Sequence, residues 1–465
     1  MKATLKHIKS QHQIRVDMKR RIFWSKGVIL LIAIIVLQNC NSRQEVNLTE
    51  QELALEWANM SLFITQFTPA NSPTYASRGF GYIGLTMYES IVHGHESHLS
   101  LGGSLNGLDQ LPKPEASSNY NWPLSLNASQ AFILKNIYQQ TSDENKARID
   151  SLEMAIQNQF SKDLNPEVIE RSIAYGKAVA AHIYEWSKTD GGHRGYLNNF
   201  DKEAIHPERP GSWKPPLFAQ SFSHLPLHPH WGKNRTFLQK NAEIGIPYMI
   251  PYDTLPESPY YKEFIQVYKK DLELTQSEKE AAIWWGDDPD VTFTPPGHSY
   301  YFATLAVEKT NPSLIVCAET FAKIGMATAD AFIKCWEWKY YYFSERPNTF
   351  IPRFIDNEWE SFWPDPPFPS FPSGHAIQAA AAATVLEDVF GKPFQITDRA
   401  HENRPRDEVR ETDFVIRSFN SFWEAAQETA DSRFYGGIHT SQDNTVGLQE
   451  GSKIARNIIS LDWKN

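Results

Sequence analysis

Cysteine is scarce: three residues in a chain of 465. Cys40 lies in the amino-terminal segment, which leaves Cys317 and Cys335. If both sit on one helix they are about 27 Å apart at the α-helical rise, too far to bridge. They are expected to be two buried thiols, which excludes a disulfide framework or a cysteine-based metal site. Long apolar runs are also missing. The only one, residues 27–37 (GVILLIAIIVL), is too short for a comfortable membrane span. Positive charge is not in excess either, with net charge −10 and a pI near 5.9. That balance argues against nucleic acid or an anionic membrane as the main partner. Finally, no series of alternating strands is visible. What is present is 41% hydrophobic and 13% aromatic residues, ample for a large core.

Residues 1–40 read as a targeting segment and are set aside from the fold. Lys19, Arg20 and Arg21 form a basic region, the apolar run follows, and Leu37-Gln38-Asn39-Cys40 closes it. The pattern resembles a bacterial lipoprotein signal, in which the cysteine becomes the lipid-bearing first residue. Met18 is an alternative start, and an uncleaved anchor is the alternative to lipidation. Either way the protein is expected to be exported, periplasmic or attached to the outer membrane through Cys40.

Beyond it, helical periodicity dominates. Helices are predicted over 49–66, 72–93, 127–141, 144–160 and 166–188. Residues 193–260 carry ten prolines from Pro207 to Pro259 among many aromatics, and form an ordered connecting arm. Helices resume at 260–271, 277–286, 297–308, 312–345, 374–390, 411–431 and 441–459. The fold class is all-α: an amino-terminal bundle (41–192), the irregular arm (193–260) and a second bundle (261–465). Gly79-Phe80-Gly81-Tyr82-Ile83-Gly84 fits a dinucleotide-binding pattern, but it follows a helix start instead of a strand and signals close helix packing. His93, His95, His98, His228 and His230 lack cysteine partners or an i, i+4 pair and are not read as zinc ligands.

Three segments of the second bundle carry chemistry: Lys339-x6-Arg346-Pro347, Pro372-Ser373-Gly374-His375 and Ser432-Arg433-x5-His439-x3-Asp443. Lys339 and Arg346, seven apart, are predicted to lie two turns apart on one helix, which Pro347 ends. Ser373 caps an alanine-rich helix whose free amides attract an oxyanion, and Gly374 permits a close approach. His375, in the first turn, is placed for proton transfer. Asp443, one turn beyond His439, can fix that ring's tautomer and leave the other nitrogen as nucleophile or metal ligand. Together these residues can hold a tetrahedral oxyanion that becomes five-coordinate.

These motifs resemble those of the type 2 phosphatidic acid phosphatase and vanadium haloperoxidase superfamily. From about residue 50 onward the chain resembles the bacterial haloperoxidase branch, through Gly211-Ser212-Trp213-Lys214-Pro215-Pro216, Thr294-Pro295-Pro296-Gly297-His298 and residues 432–439 as well. The resemblance implies two stacked bundles with the active site in the carboxy-terminal one. It implies one vanadate per chain and neither haem nor flavin. His439 would bind vanadium. Lys339, Arg346, Ser373, Gly374 and Arg433 would hold the oxygens, and His375 would contact the apical one. Asp288 would pair with Arg433, with Asp287 as the alternative, and Trp336 and Phe368 would line the cofactor's edge.

Two functions use this one set of atoms. The first is a peroxidase that oxidises halide with hydrogen peroxide to hypohalous acid, iodide favoured, then bromide. The second is a phosphomonoesterase acting through a phosphohistidine at His439. The large amino-terminal bundle, and the lack of the several membrane spans of lipid phosphatases, favour the peroxidase. A third reading, a surface lipoprotein that only binds, would be signalled by loss of Lys339, Arg433 or His439, and all three are present.

Overall fold

Serine, threonine and asparagine caps start many of the helices, four of them with proline in the first turn. The computed structural model describes residues 48–216, 219–220, 223–289 and 291–465. The targeting segment and Cys40 lie outside the described residues. Helices α1 (Glu50–Gln66), α2 (Pro73–Glu89), α3 (Trp122–Ile137), α4 (Asp143–Phe160) and α5 (Pro166–Ser187) form the first half. Ser72 caps α2 with Pro73 in its first turn, and Asn165-Pro166 repeats the device at α5. The arm contains only short helical pieces, among them α6 (Gln239–Ala242).

The second half comprises α7 (Pro259–Leu272), α8 (Gln276–Trp284), α9 (Thr294–Thr310), α10 (Leu314–Tyr342), α11 (Pro347–Phe354), α12 (Gly374–Phe390), α13 (Phe422–Tyr435) and α14 (Ser441–Ile459). An antiparallel pair, β1 (Ile396–Asp398) with β2 (Arg417–Phe419), interrupts them, Ile396 facing Phe419. Two expectations are corrected here. The helix predicted over 411–431 begins only at Phe422, where Ser421 accepts from the Glu424 amide, because residues 417–419 pair with β1. The helix predicted over 312–345 stops at Tyr342, with Phe343 in the left-handed region at φ +49°. Pro347 therefore opens α11 rather than ending α10. No helix among the described residues is long and apolar enough to cross a membrane.

Helix α10 is buried along most of its length and is the axis of the molecule. Glycines let it lie backbone to backbone on α2. A Cβ on Gly84 would sit 2.2 Å from the Phe321 carbonyl oxygen, and one on Gly325 2.3 Å from that of Phe80. The glycine run of residues 79–84 thus serves helix packing. Gly451 does the same between α14 and α12, where a Cβ would sit 2.0 Å from the Ile377 oxygen. That approach puts the start of α12, with Ser373 and His375, against the start of α14, with His439 and Asp443. Cys317 and Cys335 both lie on α10 as free, buried thiols.

Candidate active site

Lys339 occupies the last turn of α10 with no exposed surface. Its ammonium donates to the carbonyls of Pro369 (2.8 Å) and Ser370 (2.6 Å). Arg346 is not two turns further along that helix. The chain reverses after Phe343, and Arg346 becomes the residue that precedes α11. The turn, not helical spacing, brings the two cations together. Arg346 donates to the Phe368 carbonyl (2.9 Å) and the Ile438 carbonyl (2.8 Å), and its Nη1 lies 3.4 Å from His439 Nε2.

His439 Nδ1 donates to Asp443 Oδ2 at 2.8 Å, so Nε2 is left with the lone pair. The same carboxylate oxygen accepts from Ser370 Oγ at 2.5 Å. Ser370 was not singled out by sequence reasoning; its only signal is its place three residues before Ser373. The Ser373 amide donates to the Asp443 carbonyl, which ties the second motif to the third. Ser373 Oγ accepts from the Ala376 amide. The amides of the first helical positions, Gly374 and His375, have no intrahelical acceptor to reach. Beside Gly374 there is room: an added Cβ would meet only Trp336, at 3.8 Å.

Arg433, on α13, is fully buried and gives Nη2 to the Ala282 carbonyl (2.6 Å) and Nε to Ser432 Oγ. Its Nη1 is buried without a partner, as is Nε2 of His375. The expected pairing with Asp288 or Asp287 is not a direct one among the described residues. Both oxygens of Asp287 are taken by His298 and His401. Asp288 keeps Oδ1 unpartnered, and burial pushes its carboxyl up to about 6 against the pull of Arg433 and Arg404. Both carboxylates nevertheless favour the charged Arg433 through space.

Lys339, Arg346 and Arg433 share one property. Each is completely buried, and none has an ion pair among the described residues. Burial lowers all three, Lys339 to about 7 and Arg433 to about 10. Burial and Arg346 likewise push His439 down to about 3, and burial with Arg433 holds His375 well below its usual range. Asp443 moves the other way from what burial dictates, because His439, Ser370 and Lys339 stabilise its charge. A buried charge without a counterion is unfavourable unless a ligand completes it. An anion would complete these cations, and donors of this kind fit a tetrahedral oxyanion.

Gly374, His375 and His439 line a cavity of about 610 Å³. Trp336 and Phe368, rings 5.0 Å apart, form part of its wall, with Asp287 and Asp288 on another side. The Lys339 ammonium lies 5.2 Å from the centre of the Phe368 ring. The histidines passed over as zinc ligands serve elsewhere: His98 bonds Glu319, His228 bonds the Gly195 carbonyl and His230 bonds Asp201.

Residues 319–462 match the family model described as the VCPO second helical-bundle domain. The fold is similar to the crystal structure of a bacterial vanadium-dependent iodoperoxidase, with a TM-score of 0.75 and 30% identity, covering 90% of this chain and 97% of that one. It is also similar to the apo form of a bacterial vanadium-dependent chloroperoxidase, with a TM-score of 0.64 and 15% identity, over 84% of this chain and 94% of the other. The holo form of such an enzyme gives 0.61 and 14%, over 90% and 93%. No curated protein sequence matches. The chain belongs to the bacterial vanadium-dependent haloperoxidase family.

Proposed function

We propose that the protein oxidises halide with hydrogen peroxide to hypohalous acid, using one bound vanadate per chain and neither haem nor flavin. The observation that carries this reading is a set of three buried cations without an ion pair among the described residues: Lys339 and Arg346 act on His439, whose free nitrogen is Nε2, and Arg433 acts on His375. His439 Nε2 would ligate vanadium. Lys339, Arg346 and Arg433, with Ser373 and the Gly374 amide, would hold the oxygens. Vanadate, when bound, supplies the Lewis-acidic centre on which peroxide becomes an oxidant of halide.

The chain's own groups then manage charge and protons. Asp443 holds the Nδ1 proton of His439 and so leaves the Nε2 lone pair free for a ligand. Ser370 orients that carboxylate. His375 Nε2, neutral and unpartnered, can take a proton from peroxide as it binds and return it as hypohalous acid leaves. The net reaction consumes one proton: peroxide, halide and a proton give hypohalous acid and water. Lys339 is charged once an anion is beside it, and it places positive charge where negative charge develops. Trp336 and Phe368 keep water from these cations. Iodide, the easiest halide to oxidise, is the favoured substrate and bromide the next, in line with the iodoperoxidase among the similar structures.

We also place the enzyme outside the cytoplasmic membrane, held by lipid on Cys40; the support is the sequence of residues 19–40. The division into an amino-terminal bundle, an arm and a catalytic bundle belongs to the same reading.

The test is triiodide formation from iodide and peroxide by protein stripped of bound oxyanion. Activity is expected only with added orthovanadate, to be suppressed by excess phosphate, and to vanish in His439→Ala. Vanadate-inhibited hydrolysis of a phosphate ester without any oxidation would instead establish the phosphohistidine chemistry.

A further inference from the structure

Among the described residues one group has converging atoms that a metal could use: Asp287, His298 and His401, all buried, within 4.8 Å of one another. Its bonding speaks against a metal. His298 Nδ1 lies 2.8 Å from Asp287 Oδ2, and its Nε2 lies 2.8 Å from Asp398 Oδ2. Ionised carboxylates only accept, so both ring nitrogens carry hydrogen and neither has a lone pair for an ion. Burial would lower His298, but the two carboxylates outweigh it and raise the ring to about 10. His401 Nε2 adds a third donor, 2.9 Å from Asp287 Oδ1. Trp284 Nε1 (2.6 Å) and the Ala400 amide (2.9 Å) complete Asp398. The group is a closed clamp of two carboxylates around an imidazolium.

What the clamp grips is the chain from Ala282 to Asp288. Trp284 is fixed at Asp398, and Asp287 at His298 and His401. Between and beside these anchors, the Ala282 carbonyl accepts from Arg433 and the Trp285 backbone bonds His375. Asp287 is held in the left-handed region at φ +49°, which is unfavourable for a residue with a Cβ. Such a conformation persists only where its surroundings impose it, and the two histidine donors on Asp287 do so here.

We propose that His298 is a positioning residue of the oxyanion site: by bridging Asp287 and Asp398 it locks residues 282–288 so that two backbone carbonyls orient Arg433 and His375. The inference rests on the oxyanion reading of the site and is independent of the halide chemistry.

Nitrogen NMR of the full chain with labelled histidine is expected to show one ring with both nitrogens protonated at pH 8; finding none would overturn the proposal. Elemental analysis is expected to find no metal other than vanadium that depends on His298. A stoichiometric ion other than vanadate lost in His298→Gln would overturn it as well. Calorimetry with orthovanadate on oxyanion-stripped protein then tests the function. His298→Gln is expected to bind about tenfold to a hundredfold more weakly, the range for partners that orient a site from behind. A merely structural histidine would lower the melting temperature and leave the affinity of the folded protein unchanged, and that result would overturn the proposal. Should that variant not fold, His401→Gln, which keeps an N–H toward Asp287, decides: several-fold weaker binding supports the clamp and unchanged binding overturns it. Failure of the unmodified protein to bind orthovanadate would sink the oxyanion reading itself, a separate outcome.

Discussion

Arg78 and Arg433 are both buried arginines, yet their surroundings differ in kind. Arg78 donates to Asp190 at 2.6 Å and to the Ser187 carbonyl, and Tyr82 adds its hydroxyl to the same carboxylate. Although burial opposes it, Asp190 pushes that guanidinium above its ordinary range. Arg433, with Arg346 and Lys339, has backbone carbonyls but no carboxylate of its own, and all three are pushed down. The first arrangement has its counterion, although Arg78 Nη1 is without a partner just as Arg433 Nη1 is, and it holds helices together. The second gains a counterion only with a ligand. A buried cation thus marks a functional site through its missing partner, not through its burial.

The comparison can be broken most severely at the two arginines. Asp190→Ala leaves Arg78 buried and unpaired and is expected to cost about 3–5 kcal/mol of stability in urea unfolding. Arg433→Met is expected to leave ligand-free protein no less stable, and to abolish orthovanadate binding in calorimetry. Next in size is stabilisation by the ligand. Phosphate at a hundred times its dissociation constant is expected to add about 2.7 kcal/mol to the unmodified protein and nothing to Arg433→Met, read from thermal unfolding.

The pH dependence follows from Lys339, which burial lowers to about 7 from an ordinary 10.5. Between those values the unfolded chain binds the proton and the ligand-free folded chain does not, so this group's contribution raises stability as pH rises. A bound anion reverses the balance. Binding between pH 7 and 10 is expected to take up about one proton at Lys339, and Lys339→Met to remove that uptake, measured by calorimetry in two buffers of different ionisation enthalpy. The smallest effect belongs to Ser370. Ser370→Ala removes one hydrogen bond to Asp443 and is expected to weaken vanadate binding by about 1 kcal/mol, roughly fivefold.

Much of this site was legible because its residues come in short segments. The second and third motifs keep their sequence logic in the fold: Ser373 caps α12, and Asp443 meets His439 across one turn. Lys339 and Arg346 belong together for a different reason from the one their spacing suggested, since periodicity does not register the left-handed Phe343 that ends α10. Ser370 was hidden because a serine in a proline-rich stretch reads as loop chemistry. Choosing between Asp287 and Asp288 was beyond the sequence, because the answer depends on His401 and Asp398, more than a hundred residues away. The strand pair failed to register because three residues are too few to display alternation.

Lys339, Arg346, Arg433 and His439 are proposed to form a vanadate site that drives halide oxidation. Titrating oxyanion-stripped protein with orthovanadate while recording triiodide formation tests it most directly. Activity rising from zero and saturating at one vanadate per chain is the expected result; iodide oxidation that is independent of vanadate, or vanadate binding without any oxidation, would contradict it.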